Sequence, residues 1–273
     1  MQQVLIHVIP IFFALYMYVS LFHKTRLHWV IRGVLLFLIL ISCQYPAFCR
    51  SFFVGYDDRV PHLGIVLYCW LFSTQLLLVL AAFAKDFVGL IYRLVRKTKL
   101  PHPTTTAVSL LSIAMLVAAF GSYSALSQPP IYRLDVPIKN LPDSLDGFTI
   151  AQLSDIHASP LLDRSRLVKV VERTNALKPD MVAVTGDIVD GKTEARLQDV
   201  LPLKELHAPY GVFAIEGNHE HYVDYDAWMA TYPTLNMTVL HNSHRILDVN
   251  GAKLAIVGIT DPMAARYHRE YPD

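Results

Sequence analysis

Four apolar stretches fill the first half of the chain, and they constrain its architecture more than any other feature. A bilayer core about 30 Å thick takes ~20 mostly apolar helical residues to cross. Residues 4–22, 29–49, 63–84 and 106–126 each meet that length. The first is broken only by His7 and Pro10, the second carries Arg32 and Gln44 near its ends, and the last two are uncharged. One cleaved signal segment does not account for four such stretches. No charged pair sits within them, which speaks against a transport pathway. Residues 1–127 are therefore expected to form a four-span transmembrane domain in a lipid bilayer.

The charges divide the chain at the same place. Residues 1–127 hold ten Lys and Arg against three Asp and Glu, whereas residues 128–273 hold fourteen against twenty. The near-neutral total of +1 thus joins an apolar, mildly basic part to an acidic one of globular composition. No strongly basic surface for nucleic acid is present. Lys24, Arg26 and Arg32 follow the first stretch, and Lys85, Arg93, Arg96, Lys97 and Lys99 follow the third. The loop after the second has Arg50 and Arg59, offset by Asp57 and Asp58. Positive charge stays in the cytoplasm, so both termini are expected outside, in a multi-pass protein of the inner or cell membrane whose second half faces the non-cytoplasmic side. Residues 87–100 mix apolar and basic side chains and read either as the end of the third helix or as a segment lying in the interface. Cys43, Cys49 and Cys69 all lie in the apolar half, which excludes a disulfide-stapled second half.

Gln128-Pro129-Pro130 opens a connector, residues 128–147, before a domain at 148–273. There, apolar runs at 148–154, 181–185, 211–215, 238–240 and 254–258 read as strands. Residues 165–177, 194–206 and 225–231 read as helices. Such alternation predicts an α/β sheet with helices on its faces.

The first three strands each stop at a polar cluster: Asp155-Ile156-His157, then Gly186-Asp187, then Gly217-Asn218-His219-Glu220. Ligands of open α/β sheets bind beyond the carboxyl ends of the strands. An oxygen and nitrogen donor set of this kind suits Mn, Fe or Zn. Asp155 and His157 alternate back to one side, Gly186 permits a close backbone approach beside Asp187, and a carboxylate there is placed to bridge two ions.

These clusters, in this order and with the flanks QLSDIHAS, VTGDIVDG and IEGNHEHY, resemble the calcineurin-like metallophosphoesterases, most nearly bacterial membrane-anchored members with a multi-span N-terminus. The resemblance covers residues 131–262. It implies a bundle of four transmembrane helices followed by an α/β metallophosphoesterase domain, acting on a phosphomonoester, phosphodiester or pyrophosphate, with an envelope or lipid component among the candidate substrates. It further implies two divalent or trivalent ions. Asp155 and His157 would bind the first, Asp187 would bridge both, and Asn218 would bind the second. His219 would protonate the leaving group or stabilise developing charge, and Glu220 would orient His219 or pack locally. VGITDP, with Asp261, would be the central strand and the loop after it. The family's later His and Gly-His-x-His do not occur before Asp273, which implies a domain without its C-terminal part. The alternative reading is therefore a catalytically inactive binding or structural module. His207, His221, His241, His244 and His268 read as surface or packing residues.

Overall fold

The computed structural model describes residues 2–45, 47–48 and 61–273. These residues fall into two compact units, one within 2–127 and one within 128–273.

The first unit contains the helices α1 (Gln2–Leu21), α2 (Trp29–Ser42), α3 (His62–Arg96) and α4 (Pro103–Leu126). Of these, α3 with 35 residues and α4 with 24 are long and apolar enough to cross a membrane. The apolar part of α1 is Leu5–Leu21, and α2 has 14 residues. At ~1.5 Å per residue α2 is about 21 Å long, shorter than the hydrocarbon core. After α2 the chain makes a turn at Cys43 and Gln44 before further helical residues at 45 and 47–48, so among the described residues the expected second span, 29–49, is interrupted there. Ser42 Oγ and Cys43 Sγ donate to the carbonyls of Ile39 and Leu40, a competition with the backbone that favours helix ends. Cys49, Arg50, Asp57, Asp58 and Arg59 lie outside the described residues. The 87–100 segment resolves as a continuation: α3 runs unbroken to Arg96 and ends on Lys97 in a left-handed cap, its N–H bonded to the Arg93 carbonyl.

Small side chains let these helices approach one another. Ala14, Ala82, Ala107 and Ala114 are buried together with Met17, Phe22 and Leu78. Phe12, Leu80, Leu116 and Phe120 face outward and are more than half exposed. Several polar groups are paired. Tyr16 and Ser20 hydroxyls donate to Asp86 Oδ2 at 2.8 Å each, Lys85 Nζ lies 2.7 Å from Asp86 Oδ1, and His7 Nδ1 lies 2.7 Å from Gln44 Oε1.

The second unit is built on a parallel sheet in the order β1 (Ile150–Leu153), β2 (Met181–Thr185), β3 (Val212–Ile215), β4 (Thr238–Val239). Helices α5 (Arg164–Ala176), α6 (Thr193–Val200), α7 (Asn218–Tyr222) and α8 (Tyr225–Thr231) intervene. Side chains along β2 alternate as strand geometry requires. Val182 and Val184 pack with Leu167, Val171, Trp228 and Tyr232 on the helical side, whereas Met181 joins Phe213 and Leu240 on the other. That other face is covered by a hairpin of β5 (Ser243–Val249) and β6 (Ala252–Gly258), antiparallel throughout, through Leu247 and Ile256. Asn250 and Gly251, at φ 50° and 88°, make its tight turn.

Two expectations change here. The helix read at 194–206 stops at Val200 and tightens into a 3₁₀ turn at Leu201–Glu205, because Pro202 has no N–H to continue the ladder. The strand of VGITDP is not central: among the described residues β6 pairs with β5 in a separate two-stranded sheet.

Candidate metal centre

The loops after β1 and β2 continue the parallel pairing of their strands. The amides of Asp155, His157 and Ala158 donate to the carbonyls of Gly186, Asp187 and Ile188, and the Asp190 amide returns to the Ala158 carbonyl. Ala158 and Val189 form a parallel bridge. Asp155, His157 and Asp187 take positive φ values of 54°, 47° and 51° to follow this path. Each such residue costs on the order of 1 kcal/mol or more, and strain of this kind clusters at functional sites.

The loops after β2 and β3 interlock through two glycines. A Cβ on Gly186 would stand 2.6 Å from the Gly217 nitrogen, and one on Gly217 would meet the Asp187 carboxylate and lie 2.5 Å from its nitrogen. Gly186 also adopts φ +83°, where a side chain is disfavoured. Glu220, wholly buried, locks the contact. Its Oε2 accepts from the amides of Asp187 at 3.1 Å and Gly217 at 2.8 Å. Its Oε1 accepts from the Ile188 amide at 2.8 Å and the Tyr232 hydroxyl at 2.9 Å. Glu220 therefore fastens the two loops together, and its hydrogen bonds go to these groups instead of the His219 ring. Burial pushes its pKa up against the lowering effect of these bonds.

The ends of the three strands thereby converge. His157 Nε2 lies 3.8 Å from Asp155 Oδ1 and 4.0 Å from Asp187 Oδ2. Ligand atoms of His157, Asp187 and His219 lie within 4.8 Å of one another. Asp187 Oδ1 accepts from the His219 amide at 2.8 Å, so Oδ2 is the oxygen turned to His157. Asn218 opens α7, and its Nδ2 donates to the Tyr222 hydroxyl at 2.8 Å. The rings of His157 and His219 meet edge to face, centroids 4.4 Å apart.

The sequence reading missed Asp190. Its Oδ1 lies 3.1 Å from His157 Nδ1 and 2.5 Å from His219 Nδ1, holding both rings by the same nitrogen and freeing both Nε2 atoms. The hydrogen bond to Asp190 raises the pKa of His157 and of His219 against the opposing effect of burial. Burial raises Asp190 itself, but the hydrogen bonds and charges of the two imidazoles outweigh it and bring its pKa down to about 2. The available signal was its place three residues after Asp187 within VTGDIVDG.

The donor set fits a cation. The 3.8 Å and 4.0 Å separations are too long for hydrogen bonds and lie within the span of two donors across one ion at ~2.0–2.2 Å from each. A ligating His held through its other nitrogen by a carboxylate is the usual outer support of such sites.

Comparison with known proteins agrees. Residues 148–272 match the family model described as calcineurin-like phosphoesterase. A zebrafish (Danio rerio) protein described as a transmembrane protein with metallophosphoesterase domain is 28% identical over 77% of this chain and 49% of its own length. A Helicobacter pylori metallophosphoesterase is 28% identical over 87% and 62%, and a Bacillus subtilis one is 37% identical over 45% and 44%. The chain spans about half the length of the first two of the curated relatives it matches. No solved structure matches it. The family model and the relatives thus make residues 148–272 similar to calcineurin-like phosphoesterases.

Proposed function

We propose that this calcineurin-like metallophosphoesterase domain hydrolyses a phosphate ester at the carboxyl ends of β1, β2 and β3, and that the apolar helices anchor it to a membrane. The observation that carries the reading is the convergence of Asp155 Oδ1 and Asp187 Oδ2 on His157 Nε2, beside a His219 ring fixed by Asp190. Asp155, His157, Asp187 and Asn218 would hold two ions of the Mn, Fe or Zn class, with Asp187 shared. Such ions supply Lewis-acid polarisation of phosphoryl oxygens and acidify water.

The chain's own residues do the rest. Asp190 binds Nδ1 of His219, orients the ring and favours its protonated form. Nε2–H is then the donor for the leaving oxygen: as water adds to phosphorus and releases a proton to solvent, the P–O bond to the leaving group breaks and the proton of His219 passes to the departing alcohol. Glu220 and the two glycines keep Asp187 and His219 in place during that transfer.

The substrate is a phosphomonoester, phosphodiester or pyrophosphate, an envelope or lipid component being the class suited to an anchored enzyme. The basic loops after the first and third apolar stretches support a non-cytoplasmic domain. Alkaline phosphatase fused after Gln128 should then be active, and a green fluorescent fusion that glows there would overturn the orientation. For the chemistry, the 273-residue chain is purified in detergent, loaded with Mn²⁺ and assayed on bis-p-nitrophenyl phosphate. Metal-dependent turnover abolished by Asp187→Ala supports the reading, and bound metal without turnover favours the inactive module.

A further inference from the structure

A row of aromatic rings leads away from the candidate metal centre. The Tyr222 ring lies against His219, centroids 5.1 Å apart, and the Tyr267 ring lies against Tyr222, centroids 6.4 Å apart. Tyr222 ends α7, and Tyr267 ends the 3₁₀ turn Pro262–Tyr267, which packs on that helix. The two tyrosines are 44% and 42% exposed, yet each is held in place. The Tyr222 hydroxyl accepts from Asn218 Nδ2 at 2.8 Å. The Arg269 guanidinium stands 5.5 Å from the centroid of Tyr267 and 4.3 Å from that of Tyr225. It thereby ties the turn to the start of α8 by attraction to both ring faces.

A single exposed apolar side chain on a protein surface is ordinary. Two fixed rings in series, beginning at the candidate proton donor, are a different arrangement. Tyrosine offers a large, rigid contact area whose ordering costs little entropy, and rings already held by neighbours lower that cost further. Their place in the site indicates what they meet. His157 and Asp190, which also touch His219, belong to the metal centre itself. If His219 donates to the leaving oxygen, the group carried by that oxygen extends past the His219 ring, and the ring surface adjoining it is Tyr222 followed by Tyr267. Neutral aromatic faces and edges recognise another ring by stacking, at centroid separations of ~4.5–7 Å. They offer no charge to hold a phosphate or a carboxylate.

We propose that Tyr222 and Tyr267 form the leaving-group subsite of this centre, and that the substrate is a phosphate ester whose leaving group presents a flat ring face to the two tyrosines. This rests on the reading of His219 as proton donor at a metal-dependent phosphoesterase centre.

The test uses the full chain in detergent, loaded with Mn²⁺ and titrated by calorimetry with methylphosphonate, cyclohexylphosphonate and phenylphosphonate. These keep the phosphoryl oxygens and replace the ester bond by a P–C bond, so binding is read without turnover. The ring compounds should bind roughly tenfold tighter than methylphosphonate, and the order between them tells a saturated, sugar-like ring from an aromatic one. Tyr222→Ala combined with Tyr267→Ala should bring the ratio of ring to methyl affinity close to one. Tyr267→Ala alone should lower it about threefold. Tyr222→Phe, which keeps the ring and loses the bond to Asn218, should preserve it. Each variant is read as a ratio, so a general loss at the metal centre does not imitate the result, and circular dichroism checks that each is folded. Equal affinities for all three phosphonates, or a ratio unmoved in the double variant, would overturn the subsite alone. Failure of all three to bind the Mn²⁺-loaded chain, or binding undiminished by Asp187→Ala, would overturn the centre on which the subsite rests, and the subsite with it.

Discussion

Replacing Glu220 by Gln tests the loop clamp with almost no change of shape. The carboxylate accepts four hydrogen bonds, two on each oxygen. An amide has one accepting oxygen and one NH₂ group. If the oxygen stays with the Ile188 amide and the Tyr232 hydroxyl, the NH₂ group meets the N–H groups of Asp187 and Gly217, donor against donor. Each buried donor left unsatisfied costs about 1–3 kcal/mol, so the two together cost about 2–6 kcal/mol. Some is returned, because burial already disfavours the charge of Glu220. A net loss of about 3 kcal/mol should lower the Tm of a domain this size by roughly 6–12 °C. Tyr232→Phe removes one donor and leaves the carboxylate three, so it should cost about 1 kcal/mol. Differential scanning fluorimetry of the chain in detergent measures both. A Tm shift below about 2 °C for Glu220→Gln, or a larger shift for Tyr232→Phe, would refute the clamp.

Gly217→Ala drives a Cβ into the Asp187 carboxylate and backbone; Mn²⁺ affinity measured by calorimetry should fall at least tenfold, with the rest of the sheet retained by circular dichroism. Asp190→Asn removes the anchor of both imidazoles and should lower turnover about 10–100-fold, read on the same diester. The same variant changes the acid limb of stability. Asp190 has a pKa lowered to about 2 in the folded chain, so its stabilising bonds are complete above the ordinary carboxyl range and are lost as pH falls through that value. Between pH ~4 and ~2 the parent should therefore lose more stability than Asp190→Asn, and parallel denaturation curves would contradict this.

Much of the sheet was legible because its signals are local. The run MVAVT is β2 from end to end, and residues 225–231 form α8 as read. The polar clusters at the strand ends were visible because an apolar run that stops at Asp, Gly or Asn marks where buried backbone meets the surface. What stayed hidden depends on how separate loops cross. Asp190 lies 33 residues from His157 and 29 from His219, and no periodicity links them. Glu216 carries no signal beyond its place after an apolar run, yet it is buried, with His221 of α7 and His241 of the β4–β5 connection against it. The turn at Cys43 and Gln44 was hidden for a related reason: hydropathy runs on past Ser42 and carries no signal for it.

The ladder that joins the loops after β1 and β2 also bears on timescale. Functional loops usually belong to the least protected parts of a protein and open without global unfolding. Here the amides of Asp155, His157, Ala158 and Asp190 are bound to neighbouring backbone as strand amides are. Their deuterium uptake should therefore follow that of β1 and β2, and the candidate ligands among them should come apart only when the sheet itself opens. Positional disorder among Asp155, His157 and Asp187 is removed when the chain folds, so a cation meets groups already in place and association need not wait for a loop to close.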